Sequence, residues 1–521
     1  MDADLDALEF AGIRRLLERL TATPYGADAA RALTPAPDIA TALGMQRSVT
    51  AARLAIESGA HALPRLPDIR AALRQAAQAR SALAGTALAH IAQLLRAAEP
   101  LRALCGRFPN LSVDEASLAG TPDLLAHLEA AVTPTGRLTD GASPRLVEIA
   151  QEFTRERKAV EAVLATRLAA LAIKNEDGEA IVANGSRMLL ALPAEAAAQV
   201  KGVRRGPAGS GRRSLVEPLE AVAANNRLEA RAGERDAEEL AVRRALTAEV
   251  HAAQGPLDAL LGTIAWIDIA FAGGHLSIHM NAHAPQFTAE PALRLEAAYH
   301  PAMLLAFADR RGPKPVPLSI TLDAHHPMLL VTGPNTGGKT VVLKTVGLLV
   351  AMAYCGLHLP AEGQAVIGRF GRVIVDIGDR QSLLHQLSTF AGHVEVLKRL
   401  LDEAGADTLV LMDELGTGTD PEEGAALAMA VLDELARRAV RGIITTHLSP
   451  LKGYAAAHPY LTNATMRFDS EQLVPTYELE VGQSGSSHGL TIAERRGLAP
   501  TLLEAARAHL TRLEAARRPP P

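Results

Sequence analysis

Apolar residues at helical spacing mark the first quarter of the chain. Leu5, Leu8, Ile13, Leu16 and Leu17 recur at such intervals, as do Ile91, Leu94 and Leu95, which predicts helices with one buried face. Prolines at Pro24, Pro35, Pro37, Pro64 and Pro67 break the pattern. Residues 1–135 therefore read as a helical core domain to which no chemistry is assigned. A longer pattern follows over 145–173, through Leu146, Ile149, Phe153, Val160, Val163, Leu164, Leu168 and Leu171. A second long pattern runs from Asn226 to Leu261. Between them the composition shifts toward glycine and turn residues. Two long helices flanking a compact insert predict a lever arm over 136–290, with its tip at about 174–218.

From 291 onward the period changes. Met328–Val331, Thr408–Met412 and Gly442–Thr446 are short apolar runs, the pattern of buried parallel strands. Helical patterns alternate with them at Val341–Tyr354, Val394–Leu401 and Glu422–Arg438. The prediction is an α/β domain over 291–500, followed by a helical tail over 501–521. The longest apolar stretch, Val346–Leu357, is too short to cross a bilayer, so no membrane span and no membrane partner are expected.

The chemistry sits at the strand ends. Between the first run and its helix lies Gly333-Pro334-Asn335-Thr336-Gly337-Gly338-Lys339-Thr340. A glycine-rich turn that opens a helix aims backbone N–H groups and a helix N-terminus at a bound polyphosphate. Lys339, one of only eight lysines, can reach the β- and γ-phosphates, and the Thr340 hydroxyl can ligate Mg²⁺. The second run ends in Asp413 and Glu414, placed to hold Mg²⁺ and to act as general base on a water. The third run ends at His447, beside the same site. Ser388 precedes the helical pattern at Val394 and reads as a helix start, offered either as a cap or to a phosphate of another subunit. ATP and Mg²⁺ are the expected ligands.

Charge adds a second candidate. The formal net charge is −5, so any nucleic-acid contact must be local. Lys201, Arg204, Arg205, Arg212 and Arg213 form a cationic loop at the expected arm tip, with no acid among thirteen residues. Such a loop can neutralise phosphates, and with no aromatic interleaved it does not support base stacking. The chain length leaves room for two to four domains. Two distant cysteines, Cys105 and Cys355, and an acidic start predict a reducing, cytoplasmic setting.

The order of these motifs resembles the MutS family of ABC-type ATPases, and more narrowly its second subfamily, which is not devoted to mismatch repair. The likeness rests on Gly333–Val350, Asp376–Phe390, Leu409–Ala428 and Thr445–Ala455. Leu8-Glu9-Phe10 and Glu217-Pro218-Leu219-Glu220 with Asn225-Asn226 match more loosely. The resemblance implies a multidomain protein: an α-helical core and lever with a clamp arm, then an α/β P-loop ABC-type ATPase domain. It further implies a homodimer joined head to tail through the ATPase domains, with Ser388 acting in trans on the partner's nucleotide. Closure would clamp duplex or branched DNA, with ribosome or RNA as the alternative client. The signature reads Leu387-Ser388-Thr389-Phe390 where transporters carry Leu-Ser-Gly-Gly-Gln. Leu318-Ser319 stands where relatives often have Asn-Asp, which leaves the adenine contacts open. None of the nine phenylalanines is followed two residues later by Glu, so mismatch reading is not expected. The chain stops soon after Leu498, so no intrinsic nuclease is expected either.

Overall fold

The computed structural model describes the chain apart from residues 61–62, 80, 112–114, 120, 172–179, 209–212, 334–337, 378–388, 470–473, 484–489, 491–492, 495–496 and 517–521. The apolar runs do become strands. Numbered along the chain, the main sheet has the order β1 (Asp2–Ala3), β11 (Arg372–Asp376), β12 (Thr408–Met412), β13 (Arg441–Thr446), β9 (Met328–Thr332), β14 (Leu461–Asp469), β15 (Val474–Val481). All neighbours are parallel except β14 and β15.

Strands β9, β12 and β13 are buried at every residue because both faces are covered, as expected for a parallel sheet. Period-2 alternation splits each strand between two cores. Leu329, Val331, Leu409, Leu411 and Ile443 face the core shared with helix Lys339–Tyr354. Met328, Leu330, Val410, Met412 and Ile444 face the core shared with Leu432, Leu435 and Leu451. A second sheet in this body has the order β6 (Gln286–Phe287), β10 (Ala365–Ile367), β7 (Leu293–Ala298), β8 (Leu318–Leu322).

The domain boundaries depart from the expected ones. The chain divides into two units: Met1–Pro64, Ala103–Val113 and Ile264–Pro521 form one, and Arg65–Arg102 with Asp114–Thr263 the other. Residues 1–64 are thus no part of a separate helical domain. Strand β1 extends the main sheet, Asp2 opposite Arg372. Leu8, Phe10, Ile13 and Leu17 lie in the same core as helix Lys339–Tyr354. Gly347 makes this possible: a Cβ there would lie 2.3 Å from Leu8 Cδ2.

The second unit holds the arm. Helix Pro144–Ala170 starts at Ser143, whose hydroxyl accepts the Leu146 amide at 3.1 Å. It runs beside Leu219–Ala252. Pairs Arg145–Glu234, Arg231–Glu152 and Arg227–Glu156 stitch the two, and their falling and rising numbers make the helices antiparallel. At 27 and 34 residues they extend about 40 and 50 Å. The tip is an antiparallel sheet of order β2 (Ile181–Asn184), β3 (Arg187–Pro193), β5 (Arg213–Pro218), β4 (Gly202–Ala208). Its core joins Leu190, Leu192 and Val216 to Val160, Leu164 and Leu228 of the helices.

The pattern expected over 226–261 as one helix is two, Leu219–Ala252 and Gln254–His279. The latter is long and apolar enough to cross a bilayer, but 67% of its most apolar window is buried in protein. That burial accounts for its apolarity.

Candidate functional site

Sheet register assembles the site. Thr332, the last residue of β9, pairs with Thr446 of β13 on one side and Thr465 of β14 on the other. Gly333 follows with φ +129°, and Gly338, φ +94°, opens helix Lys339–Tyr354. Only glycine adopts such values without strain. Residues 334–337 lie outside the described residues, so no geometry is given for Pro334, Asn335, Thr336 or Gly337.

Lys339 is 2% exposed, and its ammonium curls back to donate to the Gly333 carbonyl at 2.8 Å. Burial lowers its pKa, while the charges of Asp413 and Glu414 act to raise it, and the net shift is downward. A desolvated cation at a helix N-terminus favours an incoming polyanion. Lys452, on helix Ser449–Ala457, also acts on the Lys339 charge and is itself lowered by burial.

Asp413 is held by hydroxyls on both sides. Thr340 Oγ1 donates to Oδ2 at 2.6 Å, and Thr445 Oγ1 donates to Oδ1. The Asp413 amide donates to the Asp376 carbonyl at 2.8 Å. The Glu414 amide donates to Thr445 Oγ1 at 2.9 Å. Glu414 has φ +55°, a left-handed conformation that costs of order 1–3 kcal/mol for a non-glycine residue and collects at functional sites. A hydroxyl and a carboxylate oxygen in contact form a hard-oxygen donor pair, which suits Mg²⁺. His447 is exposed one residue past Thr446, so register sets it beside Gly333.

The structure thus brings together Gly333, Gly338, Lys339, Thr340, Asp413, Glu414 and His447. Ser388 lies outside the described residues. Sequence reading gave no site role to four participants. Thr445 bridges Asp413 and Glu414 from a neighbouring strand. Asp376 carries Asp413 on its carbonyl and receives His393 Nδ1 on its carboxylate at 2.9 Å. Tyr477 lies against Gly338, where an added Cβ would be 2.9 Å from its Cδ1. Tyr477 is 54% exposed with φ +60°. An exposed aromatic on strained backbone was the signal, but it is a backbone signal that sequence does not carry.

The described part of the cationic segment at the tip is mostly strand. Most of it forms β4 and β5, and Arg212 lies outside the described residues. Lys201 and Arg204 are exposed. Arg205 donates through Nε and Nη2 to Glu217 Oε2 at 2.9 and 2.6 Å. Arg213 Nε donates to the Ala191 carbonyl at 2.9 Å. Glu217 is fully buried; burial would raise its pKa, but Arg205, Asn225 and Arg187 outweigh it and hold it below the usual range. Arg205 and Arg213 are therefore tied into the sheet, although Arg205 stays 38% exposed, and among the described residues of the segment Lys201 and Arg204 carry the rest of the outward charge.

The family model described as MutS domain V matches residues 329–514, a span that holds Lys339, Thr340, Asp413, Glu414, His447 and Tyr477. Among curated relatives, Endonuclease MutS2 of Symbiobacterium thermophilum is 37% identical over 515 residues, covering 97% of this chain and 63% of the relative. Endonuclease MutS2 of Thermus thermophilus is 36% identical over 518 residues, covering 98% of this chain and 66% of the relative. The chain thus spans just under two thirds of the length of these relatives. With the likeness running through nearly all of its residues, the chain belongs to the MutS family, on the side of the second subfamily.

Proposed function

We propose that the chain binds and hydrolyses Mg-ATP as a head-to-tail homodimer, and uses closure to clamp duplex or branched DNA with its arms. The observation that carries this reading is the Thr340–Asp413–Thr445 cluster beside the buried Lys339 ammonium at a helix N-terminus. Thr340 and Asp413 would hold Mg²⁺, which neutralises charge on the phosphate oxygens when bound. Lys339 would turn from the Gly333 carbonyl to the β- and γ-phosphates. Glu414 takes a proton from the attacking water as its oxygen bonds to the γ-phosphorus. The bond to the bridging oxygen then breaks, and ADP leaves with inorganic phosphate as co-product. His447 orients that water. Ser388 of each subunit would complete the partner's site. Tyr477 offers the base a ring to stack on, which fills the gap left by Leu318-Ser319.

Lys201 and Arg204 support nucleic-acid contact at the tip, through phosphates alone. No nuclease step is assigned to these residues, and the work is placed in the cytoplasm. The test is ATP turnover by the purified protein, alone and with duplex DNA, four-way-junction DNA or ribosomes. Stimulation by DNA supports the clamp. Stimulation by ribosomes alone transfers the same machine to a ribosome or RNA client. Glu414→Gln should bind ATP, stop turnover and trap a dimer; an ATP-bound monomer would sink the dimer arrangement.

A further inference from the structure

We propose that Asp376 and His393 are a positioning pair that links the helix following Ser388 to the acid that would hold magnesium. The inference rests on the reading of the site as an ATPase. Asp376 closes β11 with its side chain only 6% exposed. It is used twice. Its carboxylate receives His393 Nδ1 at 2.9 Å, and its carbonyl receives the Asp413 amide at 2.8 Å. Because a carboxylate only accepts, Nδ1 carries the proton.

His393 lies in the second turn of helix Thr389–Glu403. That helix begins one residue after Ser388. An α-helix is stiff over so short a span, so a shift at its N-terminus moves His393 with it. His393 bears on Asp376, and Asp376 bears on Asp413, whose carboxylate accepts from Thr340. Strand register keeps the last link short: Asp376 pairs with Met412, one residue before Asp413. A shift at the start of this helix therefore reaches Asp413 through one side-chain bond and one main-chain bond. His393 acts through Asp376. The pair would report on one site the state of the other.

The test uses the full chain with His393→Ala and His393→Asn. Asn keeps a donor near the Nδ1 position. His393→Ala should lower kcat by about tenfold or more, the loss expected when a charge-assisted bond no longer fixes the residue that positions Asp413. Affinity for a fluorescent ATP analogue should stay within about threefold, and His393→Asn should recover most of the turnover. Hydrogen exchange gives a second readout that needs no turnover. The Asp413 amide should exchange faster in His393→Ala and be restored in His393→Asn, while amides of β9 and β13 stay as they were. Unchanged exchange at Asp413 in His393→Ala overturns the pair. So does a loss of melting temperature and nucleotide binding together that Asn fails to rescue, since that is ordinary fold support. If the wild-type chain does not hydrolyse ATP, the ATPase reading fails, and the exchange result still decides whether His393 holds Asp413.

Discussion

Thr445→Val is the most discriminating single change. The swap preserves shape and removes one oxygen. That oxygen, fully buried, donates to Asp413 Oδ1 and accepts the Glu414 amide at 2.9 Å. Loss of a bond to a charged acceptor costs about 1.5–3 kcal/mol, and an orphaned amide about 1–3 kcal/mol more. Only the part that holds Asp413 and Glu414 in their reacting positions reaches the rate. At about 1.4 kcal/mol per tenfold, turnover at saturating ATP should fall roughly 10- to 100-fold. The Mg²⁺ concentration for half-maximal rate should rise, since Asp413 loses one of its two hydroxyl donors. Thr446→Val is the control. Thr446 is equally buried, but its hydroxyl bonds only main-chain groups, the Leu415 carbonyl at 3.2 Å and the Leu448 amide. It should lower the melting temperature and leave the Mg²⁺ dependence alone. Steady-state turnover across a Mg²⁺ titration decides the matter. Turnover within twofold of wild type and an unshifted Mg²⁺ midpoint in Thr445→Val would refute the role given to this hydroxyl.

Lys201→Ala with Arg204→Ala should weaken DNA binding and flatten its logarithmic salt slope by roughly 2, while Arg205→Ala should instead loosen the tip sheet; a titration at several salt concentrations separates the two. Glu217→Gln removes the charge that Arg187, Arg205 and Asn225 surround, so tip amides in β3 and β5 should lose about 3 kcal/mol of exchange protection with basal ATPase intact. Tyr477→Ala should raise the apparent KM for ATP several-fold and Tyr477→Phe should not, as a steady-state series will show. His358 is buried, donates or accepts at Ser277 and Thr50, and has its pKa pushed down to about 4 by burial. The unfolded chain binds a proton there near pH 6.5 and the native chain does not. Stability is therefore full above pH 6.5 and declines as pH falls toward 4, by on the order of 3 kcal/mol; His358→Gln should flatten that slope in denaturant melts.

The reading that came from sequence succeeded where a motif is local. Lys339 and Thr340 open a helix within one short glycine-rich string, and Asp413 closes an apolar strand run, so each is legible in its own string, while their meeting comes from the fold. Thr445 and Asp376 escaped because their partnership depends on strand order. β12 lies between β11 and β13, and nothing in the linear chain fixes that neighbourhood. Arg205 and Arg213 escaped for a different reason. A run of charges looks solvated until an acceptor is known, and Glu217 lies twelve residues beyond Arg205, across a hairpin. Asn225 and Glu217, quoted as part of the family likeness, prove to be the buried polar support of the tip. The arm helices were legible because their apolar period persists, yet the break at Ala253 was not, since apolar residues continue on both sides of it.

Strand β1 carries a consequence for synthesis. Its partner β11 lies 370 residues further along, Asp2 against Arg372. At about 5–20 residues per second, roughly 20–70 s separate the emergence of the two strands. Through that interval Leu8, Phe10, Ile13 and Leu17 have no helix Lys339–Tyr354 to cover them. These residues are made well before the elements that bury them, and pairing so distant in sequence folds slowly. Until that helix is made, Leu8, Phe10, Ile13 and Leu17 are apolar surface of the kind a holding chaperone covers at the ribosome exit.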